Sequence, residues 1–201
     1  MDGPPPYPFI VLEGVSGIGK STLARALTKR MHGTSLHTLP APHSDWSAAV
    51  NEQLRALPQF AFYVSGLLHA ADRARTARRT GPVVADRYTS SVTVCHSAVH
   101  AVPLTDVTRL LEPFRTYLEP PSHSYYLSCS EEALRERMAG KPDAKQDDVD
   151  LFAVPGRLPR LLATFQQAQA ADPTAVALDT DGKSAEDLAA LIIAHLEVRG
   201  A

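Results

Sequence analysis

The chain has 201 residues, 44% of them hydrophobic and 21% charged, a balance typical of one globular domain with a single buried core. Its net charge of -2 argues against nucleic acid and anionic membranes as partners. The two cysteines, Cys95 and Cys129, belong to no C-x-x-C pair, and we interpret them as reduced thiols of a cytoplasmic protein.

The first eight residues are proline-rich, and we expect them to form a flexible extended leader. They lack the basic and then apolar layout of a signal peptide. No apolar run in the chain approaches the length that spans a membrane, so we expect no membrane partner. A single domain is therefore predicted over residues 9–201.

A glycine-rich loop follows the first predicted strand, the apolar run at 9–12, and precedes a helix that starts near Thr22. The loop matches the phosphate-binding pattern G-x-x-x-x-G-K-S/T at every required position. Its residues, here called the glycine loop, are Gly14, Val15, Ser16, Gly17, Ile18, Gly19, Lys20 and Ser21. Backbone N–H groups of such a loop bind phosphate oxygens together with the positive end of the helix. The pattern predicts a nucleoside triphosphate site over 14–22, with Lys20 on the outer phosphates and Ser21 on magnesium.

Strands and helices alternate along the rest of the chain. A buried strand at 83–85 ends in Asp86, Arg87 and Tyr88, and ligands of open parallel sheets bind at the carboxyl ends of strands. We therefore expect these three residues beside the glycine loop. The other predicted strands are 34–39, 125–129 and 174–179, and the other predicted helices are 44–57, 59–79, 89–100, 104–118, 130–139, 156–171 and 184–198. Five strands joined by helices predict a three-layer α/β fold with a mostly parallel sheet.

Two further stretches follow the Leu-Glu-Gly opening of the glycine loop: Ala-Ala-Asp-Arg at 70–73 and Asp-Arg-Tyr-x-x-Ser at 86–91. In this order and spacing, the sequence resembles the thymidylate kinase family of nucleoside monophosphate kinases. The resemblance covers most of the chain from Phe9 to Leu196. It implies a P-loop kinase fold that transfers the ATP γ-phosphoryl group, with Mg²⁺, to a small-molecule acceptor. It also makes a homodimer an open alternative to a monomer.

The resemblance implies catalytic roles for Lys20, Asp86 and Arg87. Arg87 is expected to hold the acceptor's phosphate or another oxygen near the transferred group, unless it forms a structural ion pair. Asp86 is expected to organise magnesium-bound water and to orient or deprotonate the attacking hydroxyl, unless it only caps a helix. Arg73 is expected to reach the acceptor's base, with Asp72 as its local partner.

The resemblance also implies a lid. The polar segment 141–150 reads as a mobile loop, and a lid loop near 139–150 is expected to cover the phosphates. At least one member of the set Arg137, Lys141 and Lys145 is expected to place its positive charge over the γ-phosphate.

The sequence departs from the family mainly on the acceptor side. Ser16 replaces an acidic residue of the loop that lies near the acceptor sugar and magnesium, and Thr38-Leu39-Pro40-Ala41-Pro42 replaces Arg-Glu-Pro-Gly-Gly. His69 replaces an aromatic residue, while Val92, Cys95 and His96 replace Asn and Tyr-Gln. The predicted acceptor site comprises His69, Arg73, Arg87, Tyr88, Ser91, Cys95 and His96.

These departures leave three functions open. The first is a kinase of a nucleoside monophosphate or a related acceptor other than dTMP. The second is a kinase of a less anionic acceptor, such as a nucleoside or a nucleoside-like natural product, which the loss of a phosphate-binding arginine favours. The third is a nucleotide-binding regulatory protein that has lost catalysis.

Overall fold

Five parallel strands form one sheet at the centre of the computed structural model, which describes residues 7–141 and 146–200. The strands are β1 (Phe9–Glu13), β2 (Thr34–His37), β3 (Val83–Asp86), β4 (His123–Ser128) and β5 (Ala175–Asp179). Their order across the sheet is β2-β3-β1-β4-β5. The predicted α/β fold is confirmed, with a sheet that is parallel at every described strand pair.

Helices cover both faces of the sheet. They are α1 (Lys20–Met31), α2 (His43–Gln53), α3 (Ala56–Ala77), α4 (Thr89–His100), α5 (Leu104–Leu111), α6 (Glu131–Ala139), α7 (Gln146–Ala153), α8 (Arg157–Ala171) and α9 (Ala185–Gly200). Successive residues of a strand point to opposite faces. Ile10 and Leu12 accordingly pack with α1, α8 and α9, while Phe9 and Val11 pack with α3 and α5.

Prolines account for two differences from the predicted helices. Pro58 was expected to end a helix, but it lies in the first turn of α3, where its missing N–H is no loss because first-turn N–H groups have no partner within the helix. The helix predicted over 104–118 ends as an α-helix at Leu111. It continues as a 3-10 helix over Glu112–Tyr117, with Pro113 near its start.

The predicted loop at 141–150 is partly wrong, because α7 begins at Gln146. Leu151 of α7 is 2% exposed and Asp148 is 4% exposed, so this helix is packed against the domain despite its polar sequence. Residues 142–145, which include the predicted lid residue Lys145, lie outside the described residues.

The predicted leader is described only at its last two residues. Tyr7 is held at both backbone atoms: its N–H donates to the Arg78 carbonyl at 3.1 Å, and its carbonyl accepts from Arg78 Nε at 2.6 Å. The Pro8 carbonyl accepts a hydrogen bond from the N–H of Val83 at 3.0 Å. At these two positions the chain is fixed to the domain. Within the described residues, every helix is too short or too polar to cross a membrane.

Candidate active site

The carboxyl ends of all five strands lie along one edge of the sheet, because the strands are parallel. In the register of the sheet, Leu12 is next to Asp86 and Glu13 is next to Tyr126. The glycine loop follows β1 at the middle of this edge, with Arg87 after β3 on one side and Thr180 after β5 on the other. The fold therefore brings the glycine loop and residues 86–88 together, as the sequence predicted.

The glycine loop adopts backbone conformations that favour glycine. Gly14, Gly17 and Gly19 have φ values of 138°, 80° and 103°, a region that residues with a Cβ rarely enter. Space is also limited, since a Cβ on Gly14 would lie 2.9 Å from the Leu127 carbonyl oxygen. Gly19 directly precedes α1, so the loop delivers its backbone to the positive end of that helix.

The side chains of the loop divide between the core and the surface. Val15 and Ile18 are buried in the core, where only their backbone atoms remain available to a ligand. Ser21 and Thr22 lie in the first turn of α1 and are exposed.

Lys20 is the buried cation of the site, with 4% of its surface exposed. Its Nζ donates hydrogen bonds to the carbonyl oxygens of Gly14 at 2.9 Å and Val15 at 2.6 Å. Burial, and after it the charge of Arg87, lower the pKa of Lys20 to about 7, against the opposing effects of Asp86 and Glu13. The ammonium therefore lies at the glycine loop in an environment that an anion would make more favourable.

Ser21 and Asp86 form a pair of oxygen ligands suited to Mg²⁺. The Ser21 hydroxyl donates to Oδ2 of Asp86, whereas the buried Oδ1 has no hydrogen-bond partner within the described part of the chain. Mg²⁺ prefers hard oxygen ligands and is held by one or two carboxylates together with substrate phosphates. The described residues contain no group of three or more His, Cys, Asp or Glu side chains placed to hold a metal. The donor set therefore fits a magnesium ion that is carried by a nucleotide.

Glu13 is a site residue that the motif analysis did not single out. The carboxylate is 1% exposed; it accepts the Tyr88 N–H at 3.0 Å and the Ser91 hydroxyl. Burial raises the pKa of Glu13, and its hydrogen bonds and the charge of Arg87 oppose this effect. The residue therefore joins the end of β1 to the start of α4. Its position in the Leu-Glu-Gly opening was the available signal.

Arg87 begins the turn between β3 and α4 with a φ of 73°. Its backbone N–H donates to the Leu12 carbonyl at 3.0 Å, which extends the β1–β3 pairing by one residue. The Arg87 charge acts on both Glu13 and Lys20. The structure thus groups three of the predicted residues, Lys20, Asp86 and Arg87, with Glu13.

Two other predicted acceptor residues have structural contacts. The Tyr88 ring is 2% exposed and lies 5.1 Å from the ring of Phe9, and its hydroxyl accepts the Glu119 N–H at 3.1 Å. Because Phe9 and Glu13 are opposite ends of β1, this ring points away from the glycine loop. Ser91 is buried, and its hydroxyl donates a hydrogen bond to Glu13, so it helps to hold that carboxylate in position.

The second predicted acceptor group lies on α3 and α4. His69 is on α3 with its ring centroid 5.7 Å from that of His43, which in turn is 5.5 Å from Phe62. His96 is 8% exposed and packs 4.8 Å from Phe60. Cys95 packs against the core cluster on the α1 face. The sequence analysis did not single out His43, because its contacts with the rings of His69 and Phe62 arise from the packing of α2 against α3, which no local pattern reveals.

The chain after β2 is apolar where the family carries charge. Leu39 is 7% exposed, and it packs so closely on α3 that a Cβ on Gly66 would lie 2.4 Å from it. Thr38 is 4% exposed, and within the described residues its hydroxyl has no hydrogen-bond partner. Arg73 is exposed on α3, and Asp72 pairs at 2.7 Å with Arg75 instead of Arg73. The expected Asp72–Arg73 pair is wrong, since adjacent residues on a helix do not face each other.

The two predicted lid cations that the structure describes have different partners. Arg137 donates to the Ile18 carbonyl at 3.2 Å and to Thr180 Oγ1 at 2.8 Å, so it connects the glycine loop with the loop after β5. Lys141 forms an ion pair with Asp148 of α7, and Asp148 also accepts the Ser16 hydroxyl. Asp148 was not predicted, because its partner Ser16 is 132 residues away in sequence.

Comparisons with known proteins identify the family and the fold. The sequence profile of the family Thymidylate kinase matches residues 12–153. The structure is similar to a thymidylate kinase from Candida albicans (TM-score 0.77, 16% identity, 97% of this chain and 93% of that chain). It is also similar to a deoxyadenosine kinase from M. mycoides (TM-score 0.68, 14% identity, 94% of this chain and 99% of that chain). The comparison with curated proteins gave no match.

Proposed function

The chain belongs to the thymidylate kinase family, and we propose from this premise that it is an ATP- and Mg²⁺-dependent phosphotransferase. Its acceptor would be a nucleoside monophosphate or a related small molecule. The observation that carries the proposal is the grouping of Lys20, Asp86 and Arg87 around the glycine loop. Phosphoryl transfer depends mainly on positioning and charge neutralisation, and this group supplies both.

The donor side would use the glycine loop, α1 and Lys20. Loop N–H groups and the helix N-terminus would bind phosphate oxygens, and the Lys20 ammonium would leave the two loop carbonyls for the outer phosphates. Ser21 and Asp86 would hold magnesium, which neutralises phosphate charge. Asp86 would also orient the attacking hydroxyl, and Arg87 would bind the acceptor beside the transferred group.

A nucleoside or a nucleoside-like compound is the second candidate acceptor. The specific observation in its favour is the pair Thr38 and Leu39, which stands where the family carries an arginine and an acid. Leu39 is buried against Gly66, so this corner of the site is apolar. A neutral acceptor would have a lower desolvation cost there than an acceptor that carries a phosphate group.

The proposal is tested by measuring ATP consumption with magnesium across a panel of acceptors. The panel comprises dTMP, thymidine, the other nucleosides and monophosphates, and nucleoside-like natural products. At least one acceptor should be phosphorylated, and Lys20→Ala should lose about 100-fold or more of that rate. A near wild-type rate in Lys20→Ala would refute the mechanism. MgATP binding without turnover of any acceptor would favour the regulatory alternative.

Arg87→Ala separates the acceptor side from the donor side. We expect kcat/KM for the acceptor to fall about 100-fold or more, because a planar guanidinium can bind two oxygens at once. The dissociation constant of MgATP should change by less than about threefold. Arg87→Lys is the matched control: it keeps the charge without the two-oxygen geometry, and its rate should be intermediate. Equal losses of acceptor turnover and ATP affinity would contradict this assignment.

The assembly of the chain is a separate proposal. The resemblance to the family makes a homodimer the assembly to test, and sedimentation velocity of the wild-type protein distinguishes it from a monomer.

A further inference from the structure

A hydrogen bond between Ser16 and Asp148 connects helix α7 to the glycine loop, and Lys141 shares the same carboxylate. The Ser16 hydroxyl donates a hydrogen bond to Oδ1 of Asp148, and Lys141 Nζ donates to Oδ2 of the same carboxylate. The Asp148 side chain is only 4% exposed, whereas that of Lys141 is 26% exposed. Both oxygens of a buried carboxylate are therefore bound by side chains from outside α7.

Ser16 stands where the resemblance implies an acidic residue, near the acceptor sugar and magnesium. A serine hydroxyl carries no charge, so the loop itself lacks that carboxylate. Asp148 brings a carboxylate to Ser16 from a helix that lies 132 residues further along the chain. This contact places negative charge beside the one loop position that has lost it.

Two further contacts show that α6 lies directly on the glycine loop. The Met138 side chain packs directly on Gly17, so that a Cβ at this position would displace it. Arg137 Nη1 donates to the Ile18 carbonyl at 3.2 Å. The Ser16–Asp148 hydrogen bond is thus one of three contacts, at consecutive loop residues, between the loop and this part of the chain.

We propose that Asp148 is a positioning residue of the phosphoryl-transfer site, supplying from α7 the carboxylate that the loop lacks at Ser16. Through its second oxygen it fixes Lys141 beside the same loop. This inference rests on the proposed function, because its role is to arrange the groups that act on the nucleotide and the acceptor.

The pairing explains how a carboxylate can lie beside a phosphate-binding loop. An isolated buried carboxylate there would repel phosphate and would lose its hydration. The Lys141 ammonium partly offsets its charge, and two hydrogen bonds to one carboxylate fix the position of both partners. Loss of the carboxylate would free both Ser16 and Lys141 while leaving the donor loop intact.

The test moves the carboxylate from position 148 to position 16. Four variants are compared with the wild-type protein: Asp148→Asn, Ser16→Asp, the double variant Ser16→Asp/Asp148→Asn, and the control Asp150→Asn. Asp150 lies on the same helix but pairs with Arg157 of α8 at 3.3 Å. The readouts are kcat and KM for the best acceptor, MgATP affinity by calorimetry, hydrogen exchange of residues 146–153, and the melting temperature.

Asp148→Asn should lower kcat about 10-fold to 100-fold, the range expected when a hydrogen bond to a charged group is lost. MgATP affinity should stay within about threefold of the wild-type value. Ser16→Asp should also lower kcat, because two carboxylates then face each other. The double variant should recover to within about threefold of wild type, because the new asparagine amide can donate to the new carboxylate. Asp150→Asn should match the wild type.

Hydrogen exchange distinguishes failure of this inference from failure of the proposed function. MgATP should increase protection of residues 146–153 in the wild type and the double variant, but less in Asp148→Asn. If MgATP binds and no acceptor is phosphorylated, the proposed function fails, and the exchange result still decides whether Asp148 couples α7 to the nucleotide-bound loop. If Asp148→Asn matches Asp150→Asn in both kcat and exchange, the inference is overturned and the proposed function stands. A double variant that folds with a wild-type melting temperature but does not recover would also overturn it.

Discussion

Lys20 combines a charge with almost complete burial, and this combination makes its protonation sensitive to a ligand. Its ammonium has only the carbonyls of Gly14 and Val15 as hydrogen-bond acceptors among the described residues, and Arg87 adds an unfavourable positive charge. These effects place the pKa of Lys20 at about 7, well below the usual value for lysine. A bound phosphate would reverse the balance, because it stabilises the charged form.

We therefore predict that MgATP binding takes up a proton at about pH 8. At that pH the Lys20 amine is mostly neutral in the free protein, since its pKa is about 7. It becomes protonated when phosphates raise the pKa, and the apparent affinity should weaken as the pH rises from about 7 to 9. Titration calorimetry in buffers of different ionisation enthalpy measures the uptake. Lys20→Arg stays protonated throughout this range and should show almost none. Equal uptake by both proteins would contradict the assignment to Lys20.

At the scale of single elements, α4 contains a histidine that burial keeps neutral near pH 7. His96 is 8% exposed and lies between Phe60, with ring centroids 4.8 Å apart, and His100, at 4.7 Å. Burial, with a smaller contribution from His100, lowers the pKa of His96 to about 4. His96 is therefore neutral at pH 7, and any role toward an acceptor would be that of a neutral ring.

The same shift predicts acid sensitivity of the fold. Between about pH 6.5 and 4 the unfolded chain binds a proton at His96 that the folded chain does not, so the free energy of unfolding falls as the pH falls. Urea unfolding at pH 7 and pH 5 should show the wild type losing about 1–2 kcal/mol more than His96→Phe. His32→Asn is the control, because His32 is exposed. An identical loss in wild type and His96→Phe would contradict this prediction.

Elements with a strong local pattern could be predicted from the sequence. The apolar runs of β1 and β3 and the glycine loop each contain their own signal, so their positions and their shared sheet edge agree with the structure. Helix α7 has no such signal: its first turn is polar, and Asp148 is fixed by a partner 132 residues away. His43 likewise gains its neighbours only when α2 packs on α3. Features created by distant contacts lie beyond local sequence patterns.

At the scale of the whole molecule, the site is assembled from segments far apart in sequence. Residues 14–22 follow β1, residues 86–91 follow β3, and residues 180–182 follow β5. Glu13 connects the first two through Tyr88 and Ser91, while Arg137 connects the glycine loop to Thr180. A nucleotide bound at the loop would therefore stabilise contacts across the sheet from β3 to β5.

This assembly predicts that MgATP stabilises all three segments together. At about 100 times its dissociation constant, MgATP should raise the free energy of unfolding by about 2.7 kcal/mol and the melting temperature by about 5–10 °C. Hydrogen exchange should slow at 14–22, 86–91 and 180–182 in the same experiment, because the connecting side chains lose freedom to open locally. Lys20→Ala, which lacks the buried ammonium, should show much smaller changes in both measurements. Protection confined to residues 14–22 would mean that the connections through Glu13 and Arg137 do not carry the effect of binding across the sheet.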